Sequence, residues 1–556
     1  MGGDREAKGI FMASADSIFK EFREHSVAEF FRKNRQMLGF AGKTRSLTTI
    51  VHEYVTNSLD ACEEGGILPE IDVKISLVNG DHCIVRVQDN GPGIPPKMVG
   101  KALGMMLAGT KFHRYMQQRG QQGIGAAGCT MFSQITTGKP VHVKTGTGNG
   151  KVYECDLTVD VKTNKPVQQN ERNSDGEFRG IVVEGEFAEV KYDKGEYGVM
   201  EYLKRTALAN PHAQISFEGP DGEKQLFPRA VNSVPPKAVE VLPHPLGITT
   251  NELVEMAHHS EERKITSFLQ QNFARVSPAR IDELRSAMPN FDIDKPPREL
   301  KWGEAEEMVK AFGQMKWIAP STDALRPIGK EQIEKALVNI LNPQYMSVGE
   351  RRPKVFRGGV PFMVEAAIAY GGGSGRRTAD GSVAGDVIRY ANRAPLLFDA
   401  GGCAINEATK SIEWGRYDMR DFDSLPMTVF VNFVSVHVPY TGAGKQAISN
   451  EEEILDEIKR AVMECCRDVQ LHLRGKAREG ERDAKKKAIM RYVEQLARDL
   501  AELSGKGKAE DLQKKLIALV EGKYKKHIEE ASLEEISGEA AAAKHAAENE
   551  NGNGEE

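Results

Sequence analysis

Apolar and polar positions in the first part of the chain follow two different periods, which locate its elements. Over residues 47–64 the apolar positions recur at helical spacing, which predicts one amphipathic helix. Residues 71–88 instead alternate around the turn Asn79-Gly80-Asp81, which predicts two antiparallel strands. The glycine-rich run 120–128 leads into an apolar stretch. It therefore predicts a loop that feeds a second helix.

Three polar residues of the first predicted helix share one face. Glu53, Asn57 and Asp60 are spaced four and then three residues apart. A carboxylate on that face can hold and deprotonate a water, and an amide oxygen can bind a Mg²⁺ ion that also holds nucleotide phosphates. Taken alone, the same pattern is more typical of an ordinary solvated helix face.

A short glycine motif follows the predicted strands. Asp89 falls where the second strand ends, and Gly91 and Gly93 come directly after it. Glycines allow close backbone approach, which suits a flat base whose amino proton Asp89 would accept. A plain turn after a strand explains the motif equally well.

The glycine-rich run has the composition of a phosphate loop. Its glycines precede a predicted helix N-terminus, where backbone N–H groups can be aimed at an anion. The run lacks the preceding strand and the later acidic residue of the dinucleotide fingerprint. Residues 110–119 before it are polar and basic, which favours a flexible lid over bound nucleotide.

In this order, E-x-x-x-N-x-x-D, D-x-G-x-G and the glycine-rich lid resemble the GHKL ATPase superfamily. The stretches ILPEIDVKI, DNGPGIPP, FSQITTGKP and VPYTGAGKQAI resemble more specifically the B subunit of archaeal DNA topoisomerase VI, with matching segments from about 17 to 474. This resemblance implies an α+β multidomain chain: a GHKL (Bergerat) ATPase α/β sandwich, a helix-two-turn-helix insert, an α/β transducer domain and C-terminal helices.

The resemblance also assigns roles to individual residues. It implies that Glu53 and Lys445 are catalytic, with Lys445 reaching from the transducer to the ATP γ-phosphate, and that Asn57 binds Mg²⁺. The implied ATP-binding residues are Asn57, Asp60, Asp89, Gly91, Gly93, Thr110, Lys111, Gly120, Gln121, Gln122, Gly123, Ile124, Gly125, Ala126, Ala127, Lys445 and Gln446. The loop 441–446 is not a Walker A motif, because Pro439 and Gln446 stand where that motif needs Gly and Ser or Thr.

Three positions depart from the family pattern. A W-K-x-Y motif that contacts DNA in relatives reads Trp414-Gly415-Arg416-Tyr417, so Arg416 is expected to supply the phosphate contact and Trp414 to lie mainly in the core. A basic K-G-R-R loop of some relatives reads Lys194-Gly195-Glu196-Tyr197. Ala127 replaces a lysine of some relatives, which removes one phosphate contact. The candidate DNA-binding residues are Trp414, Arg416, Tyr417 and Lys194.

Proline-bearing connectors, changes in sequence pattern and the resemblance together predict the domains of the chain. They are an N-terminal segment 1–16, an ATPase domain with an N-terminal strap 17–228, a linker and helix-two-turn-helix domain 229–318, a transducer 319–474, C-terminal helices 475–536 and a disordered acidic tail 537–556. The strap at 17–34 is expected either to reach the partner of a dimer or to pack on its own domain. A helix is expected over 449–474, with separate helices over 478–503 and 508–527.

Composition restricts the setting. The 556 residues are 40% hydrophobic and 28% charged, enough for several cores, and a formal charge of −5 carries no overall nucleic-acid signature. Seven cysteines without a CxxC pair favour a reducing interior. We expect neither a signal peptide nor a membrane span. The expected location is therefore the cytoplasm, and the resemblance implies association with the archaeal nucleoid.

The resemblance implies partners as well. They are the DNA-cleaving A subunit of topoisomerase VI in an A2B2 heterotetramer, a second copy of this chain when ATP is bound, and double-stranded DNA. ATP and Mg²⁺ are the implied cofactors, and the chain alone is expected neither to cleave nor to rejoin DNA. The alternatives are a GHKL chaperone, a mismatch-repair-type clamp, a histidine kinase and a nucleotide-gated protein without turnover. For a kinase, His258-His259 is the nearest phosphoacceptor candidate, and it follows the nucleotide domain rather than preceding it.

Overall fold

The computed structural model describes most of the chain. The described residues are 33–36, 39–106, 115–120, 123–160, 163, 165–378, 380–442, 444–505 and 508–523. Residues 17–32 of the expected strap, and Thr110, Lys111, Gln121 and Gln122 of the expected ATP-binding set, lie outside them. Contacts divide the chain into two units, Met1–Val469 and Gln470–Glu556.

The first α/β region contains the helix and strands predicted around Glu53 and Asp89. Its elements are α1 (Lys43–Gly65), β1 (Glu70–Asn79), β2 (His82–Asp89), α2 (Pro96–Gly104), α3 (Gly125–Thr137), β3 (Val141–Thr147), β4 (Lys151–Asp160), β5 (Lys165–Asp175), β6 (Arg179–Ala188), α4 (Val199–Ala209), β7 (Gln214–Glu218) and β8 (Lys224–Phe227). The strands form one sheet in the order β5-β4-β3-β6-β2-β1-β7-β8. All its pairs are antiparallel except β1 with β7.

The alternation predicted for the first two strands explains how this sheet packs. Ile71, Val73 and Ile75 are buried on one face of β1, and the residues between them are exposed. The buried face joins one core with apolar residues of α1, α3 and α4. The helices therefore form one layer over the sheet, and Ser58 on α1, five residues beyond Glu53, comes to lie beside Asp89.

Four short helices follow within the region predicted as the linker and helix-two-turn-helix domain, 229–318. They are α5 (Thr250–His259), α6 (Ile265–Asn272), α7 (Pro278–Ala287) and α8 (Trp302–Gln314). A capping box between Thr249 and Glu252 starts α5. These helices enclose their own core, in which Phe268, Phe273 and Phe312 are fully buried. The region therefore has the separate core that an inserted domain needs.

The second α/β region is built on a sheet that is buried on both faces. Its elements are α9 (Lys330–Leu341), β9 (Tyr345–Glu350), β10 (Lys354–Phe356), β11 (Val360–Tyr370), β12 (Arg376–Arg377), β13 (Val383–Ala384), β14 (Asp386–Ala391), β15 (Ala394–Pro395), α10 (Ala404–Lys410) and β16 (Met427–Ser435). The main sheet has the order β10-β11-β16-β14-β15, with β9 also paired to β11. Nearly every residue of β11 and β16 is buried, which explains why these strands are continuous apolar runs.

One long helix replaces two predicted ones. The helix α11 runs from Glu452 to Ser504 without a break, so the predicted interruption after 474 is wrong. The residues across that point include Gly475 and Gly480 but no proline. An isolated glycine costs a helix only about 1 kcal/mol, which a long helix tolerates. Residues 509–523 form a further helical segment. Among the described helices, none is long and apolar enough to cross a membrane.

Candidate nucleotide site

The open face of α1 lies against the start of α3. Glu53 is half-buried and Asn57 is exposed. A Cβ atom added at Gly125 would fall 1.6 Å from Glu53 Oε2. The Glu53 carboxylate therefore occupies the space that a side chain at position 125 would need, so any larger residue there would displace this carboxylate. The predicted carboxylate and the predicted phosphate loop thus meet in the fold.

Asp89 presents a buried acceptor at the end of β2. Its Oδ1 accepts hydrogen bonds from the N–H groups of Gly91 (2.9 Å) and Ile181 (3.2 Å). Its Oδ2 is buried and receives no hydrogen bond of good geometry among the described residues, although the Ser58 hydroxyl lies near the carboxylate. Burial raises the pKa of Asp89, and hydrogen bonds from Ser58, Gly91 and Ile181 oppose that rise. A buried acceptor without a protein partner is rare, and a ligand amino group would satisfy it.

Glycines bring the backbone segments around Asp89 together. Gly93 has a φ of 73°, and a Cβ there would lie 2.2 Å from the carbonyl oxygen of Gly146. Gly180 has a φ of 121°, and its Cβ would lie 2.0 Å from the carbonyl oxygen of Asp89. The D-x-G-x-G turn thus packs directly onto strands β3 and β6, closer than any side chain allows.

Sequence reasoning missed the residues that support this turn from β3 and β6. Besides Gly146 and Gly180, Thr145 contributes a buried hydroxyl that accepts from Ile94 N–H (2.8 Å) and donates to the Ile94 carbonyl (3.1 Å). The available signal was glycine inside the strand sequences 141–147 and 179–188. An isolated glycine within a strand often marks a close backbone approach.

The start of α3 has the form of an anion site. Gly123, with a φ of 57°, precedes the helix. Ile124 is the N-cap residue, and it makes no side-chain hydrogen bond to the first turn of the helix. The first N–H groups of a helix lack partners within the helix and attract negative charge. Ala126 and Ala127 are buried in the core, so they can meet a phosphate only through their backbone N–H groups. Gly120, three residues before Gly123, is also among the described residues.

Lys445 lies near the helix that carries Glu53. It has a φ of 51° in the loop after β16, and its N–H donates to the Gly442 carbonyl at 3.1 Å. Burial lowers the pKa of His52, Glu53 opposes this, and the nearby Lys445 ammonium lowers it further. The fold therefore brings this cation within electrostatic range of His52, the neighbour of Glu53.

Gln446, the other predicted ATP-binding residue of that loop, forms hydrogen bonds within the second α/β region. Its side-chain oxygen accepts from Phe398 N–H at 3.1 Å, and its carbonyl accepts from Arg389 at 3.3 Å. These bonds fix the loop that presents Lys445. A direct contact between Gln446 and ATP stays a prediction.

Asp60 has different surroundings from Glu53 and Asn57, although the three residues share the helical spacing. It is buried, and Arg119 Nη1 donates to its Oδ1 at 2.6 Å. The C-terminal half of α1 is therefore part of an ionic cluster instead of the open face. Direct contact of Asp60 with ATP stays a prediction.

The candidate DNA-binding residues are partly engaged. Trp414 stacks on Phe422, with ring centroids 4.7 Å apart, and Arg416 is exposed beside Glu413 on the same short helix. Lys194 forms ion pairs of 2.6 Å with Asp221 and Glu223. A phosphate would have to compete with those two carboxylates for the lysine.

The fold and the site define an ATPase class that sequence comparison also finds. Residues 42–162 match the family described as histidine kinase-, DNA gyrase B- and HSP90-like ATPase. Residues 320–487 match the transducer of the topoisomerase VI B subunit. The chain belongs to the family of type 2 DNA topoisomerase 6 B subunits. The predicted family and α+β fold class are confirmed, and nucleotide binding follows from the ATPase class.

Individual relatives support this membership along almost the whole chain. The B subunit of type 2 DNA topoisomerase 6 from Pyrococcus horikoshii is 44% identical over 571 residues, covering 94% of this chain and 100% of the relative. That of Methanothermobacter thermautotrophicus is 46% identical over 491 residues, covering 88% and 93%. Among solved structures, the ATPase region of Saccharomyces cerevisiae topoisomerase II aligns with 83% of this chain and 100% of its own at 11% identity and a TM-score of 0.41, too weak a similarity to support a conclusion.

Proposed function

We propose that this chain binds and hydrolyses ATP as the B subunit of a DNA topoisomerase VI. The supporting observations are that the Glu53 carboxylate lies against the start of α3 and that the buried Asp89 Oδ2, at the end of β2, lacks a well-placed hydrogen-bond donor in the described part of the chain. Asp89 would accept the amino group of adenine, and the N–H groups of α3 would bind the phosphates. In this scheme β2 binds adenine, α3 binds the phosphates, and α1 supplies the catalytic base.

Glu53 is the proposed general base. Its carboxylate would accept the proton of a water that attacks the γ-phosphate, and Lys445 would stabilise the charge that develops on that phosphate. The exposed side-chain oxygen of Asn57 is a ligand type that suits Mg²⁺, which supplies charge neutralisation to bound phosphates. The full set named from the sequence, including the lid residues, is proposed to complete this site.

ATP binding is proposed to join two copies of the chain, and hydrolysis to release them. In this scheme the chain works with the A subunit of topoisomerase VI as an A2B2 assembly in the archaeal cytoplasm, at the nucleoid. The dimer would trap a DNA segment, and the A subunit would cleave and rejoin the DNA, so that supercoils are relaxed and linked duplexes are separated. Lys194, Trp414, Arg416 and Tyr417 are the proposed DNA contacts.

A pair of substitutions tests the site. With the A subunit and DNA present, Glu53→Gln should bind a non-hydrolysable ATP analogue normally while turnover falls by about 10²–10⁴-fold, because only the base is lost. Asp89→Asn should instead weaken analogue binding, by about tenfold or more, because the amide presents a donor to the adenine amino group. Glu64→Gln, exposed on the same helix, is the control and should change neither quantity. Normal turnover by Glu53→Gln would contradict the proposal, as would no hydrolysis by the wild-type chain.

A further inference from the structure

The last residues of the expected lid are buried and attached to the transducer. We call residues 115–120 the lid root. Gln117 exchanges two hydrogen bonds with the backbone of Arg326, of 2.8 and 2.6 Å. Asn392 Nδ2 donates to the carbonyl oxygen of Gln118 at 3.2 Å. Arg326 and Asn392 both lie within residues 320–487, which match the transducer family. The lid root is therefore hydrogen-bonded directly to the transducer.

The same segment is attached to the nucleotide helix through Arg119. Its Nη1 donates to Asp60 Oδ1 at 2.6 Å, and its two Nη atoms contact the Glu63 carboxylate at 3.2 and 2.6 Å. Nη2 also donates to Asn210 Oδ1 at 2.6 Å. Only 5% of the Arg119 side chain is exposed. Arg119 thus binds the C-terminal half of α1, which follows Glu53 and Asn57 in the helix.

A second arginine continues the cluster into the transducer. Arg393 Nη1 lies 3.8 Å from Glu63 Oε2, and Asn210 Nδ2 donates to the Arg393 carbonyl at 3.2 Å. Arg393 Nη2 donates to the carbonyl oxygens of Arg326 and Pro327 at 3.3 and 3.2 Å. Asn210 and Glu63 therefore contact both arginines.

Buried bonds then lead to the central strands of the transducer sheet. Asn432 on β16 accepts from Arg393 N–H at 3.1 Å and donates to Glu365 on β11 at 2.7 Å. Glu365 also accepts from the N–H groups of Ile328 and Gly329 at 3.0 and 2.7 Å. The chain of bonds thus returns to the segment that Arg393 and Gln117 contact.

The charges of this cluster are mutually dependent. Burial would raise the pKa of Glu63, but Arg119, His212 and Arg393 hold it well below its usual value. Buried ion pairs add little stability over apolar packing, yet loss of one partner leaves a buried charge uncompensated. Such a cluster has few acceptable arrangements. A change in the position of one segment therefore requires the others to adjust.

We infer that Arg119 is a positioning residue that couples the nucleotide state of the ATPase domain to the transducer. The inference rests on the proposed function, since it needs a nucleotide bound at the glycine-rich run that directly follows the lid root. The planar guanidinium holds three partners at fixed directions, so the lid root cannot shift without moving α1 or breaking those bonds. Through Glu63 and Asn210 the same displacement reaches Arg393.

The test is hydrogen exchange of the full-length chain with and without a non-hydrolysable ATP analogue. In the wild type the analogue should slow exchange at 89–94 and also change exchange at 326–329 and 389–394. Arg119→Lys keeps the charge and removes the fork, so it should keep the change at 89–94 and reduce the transducer change by about fivefold. Arg229→Lys is the matched control, because Arg229 bonds Glu70 and Pro69 within the ATPase domain, and should behave as wild type.

Two results separate the inference from its alternatives. An undiminished transducer response in Arg119→Lys overturns the inference while leaving the proposed function intact. Absence of protection at 89–94 in the wild type overturns the proposed function and the inference together. If Arg119 were only structural, Arg119→Lys would raise exchange at 389–394 in the absence of the analogue and leave the analogue-dependent difference unchanged. That form of the first result overturns the inference as well.

Neutral substitutions guard against a variant that fails to fold. Gln117→Ala and Asn210→Ala each remove uncharged hydrogen bonds on the route from the lid root to the transducer, and the second acts at Arg119 itself, which keeps Asp60 and Glu63. Neither leaves a buried charge uncompensated. Their transducer response should fall by about threefold, with protection at 89–94 retained. Wild-type responses in both variants would overturn the inference.

Discussion

The two halves of α1 carry similar acidic residues in opposite settings. Glu53 and Asn57 lie toward the opening beside α3, and their surroundings are shaped by glycine backbones such as Gly125. Asp60 and Glu63, one to two turns further on, are buried among arginines. A catalytic carboxylate must remain available to water and substrate, whereas a structural one must be compensated. One helix does both because its two ends pack against different segments.

Glu63→Gln should show the largest effect and separates the two halves most clearly. It removes the carboxylate that compensates Arg119 and Arg393, so the free energy of unfolding should fall by about 3–5 kcal/mol. Glu53→Gln should lower it by less than about 1 kcal/mol, because that carboxylate compensates no buried arginine. Denaturant unfolding of both variants measures the difference. Equal losses would mean that the open half is also structural.

Gly93→Ala tests whether the open half depends on backbone approach. The positive φ and the 2.2 Å approach to the Gly146 carbonyl should together cost about 3 kcal/mol of stability, and analogue binding should weaken. Gly138→Ala is the control. Gly138 has a similar φ of 72° but nothing within 4 Å of the added Cβ, so its loss should be about 1 kcal/mol. Equal losses in thermal unfolding would remove the close approach as a cause.

Lys445→Ala tests the distant cation that completes the open half. Turnover should fall by about 100-fold, or about 2.7 kcal/mol, because charge developing on the phosphate loses its partner. Lys445→Arg should recover part of the rate, and Lys410→Ala, exposed on α10, should have none of the effect. Steady-state hydrolysis with the A subunit and DNA is the measurement. A stability loss without a rate loss would assign Lys445 to packing.

The smallest expected effect concerns the protonation of His212 in the buried half. Burial lowers the pKa of this histidine below 6.5, although its 2.8 Å contact with Glu63 opposes the shift. The unfolded chain therefore binds more protons than the folded one just below pH 6.5, so stability should fall as the pH drops, by about 1 kcal/mol. Unfolding of His212→Gln between pH 7.5 and 5.5 should show a smaller slope than wild type. An unchanged slope would exclude His212 as the source.

Local pattern was sufficient for the elements and for part of the site. Helical spacing placed Glu53 and Asn57 on one face, and strand alternation placed Asp89 at the end of β2. It also led to one wrong helix boundary and did not indicate one buried contact. The predicted interruption within α11 is absent, and the spacing that grouped Asp60 with Glu53 did not indicate that Arg119 holds it. Periodicity describes which residues of one element share a face, and it contains no information on what covers that face.

The sequence by itself determined the order of the motifs, the family they resemble and the backbone freedom at Gly91 and Gly93, because these depend on residue type and local spacing. Only the tertiary structure decided that Lys445 comes near the helix of Glu53, that Gly146 and Gly180 receive the D-x-G-x-G turn, and that Arg119 joins the lid root to α1. These contacts join segments far apart in the chain. Their energies arise from burial, charge compensation and close packing, which exist only after distant elements have docked.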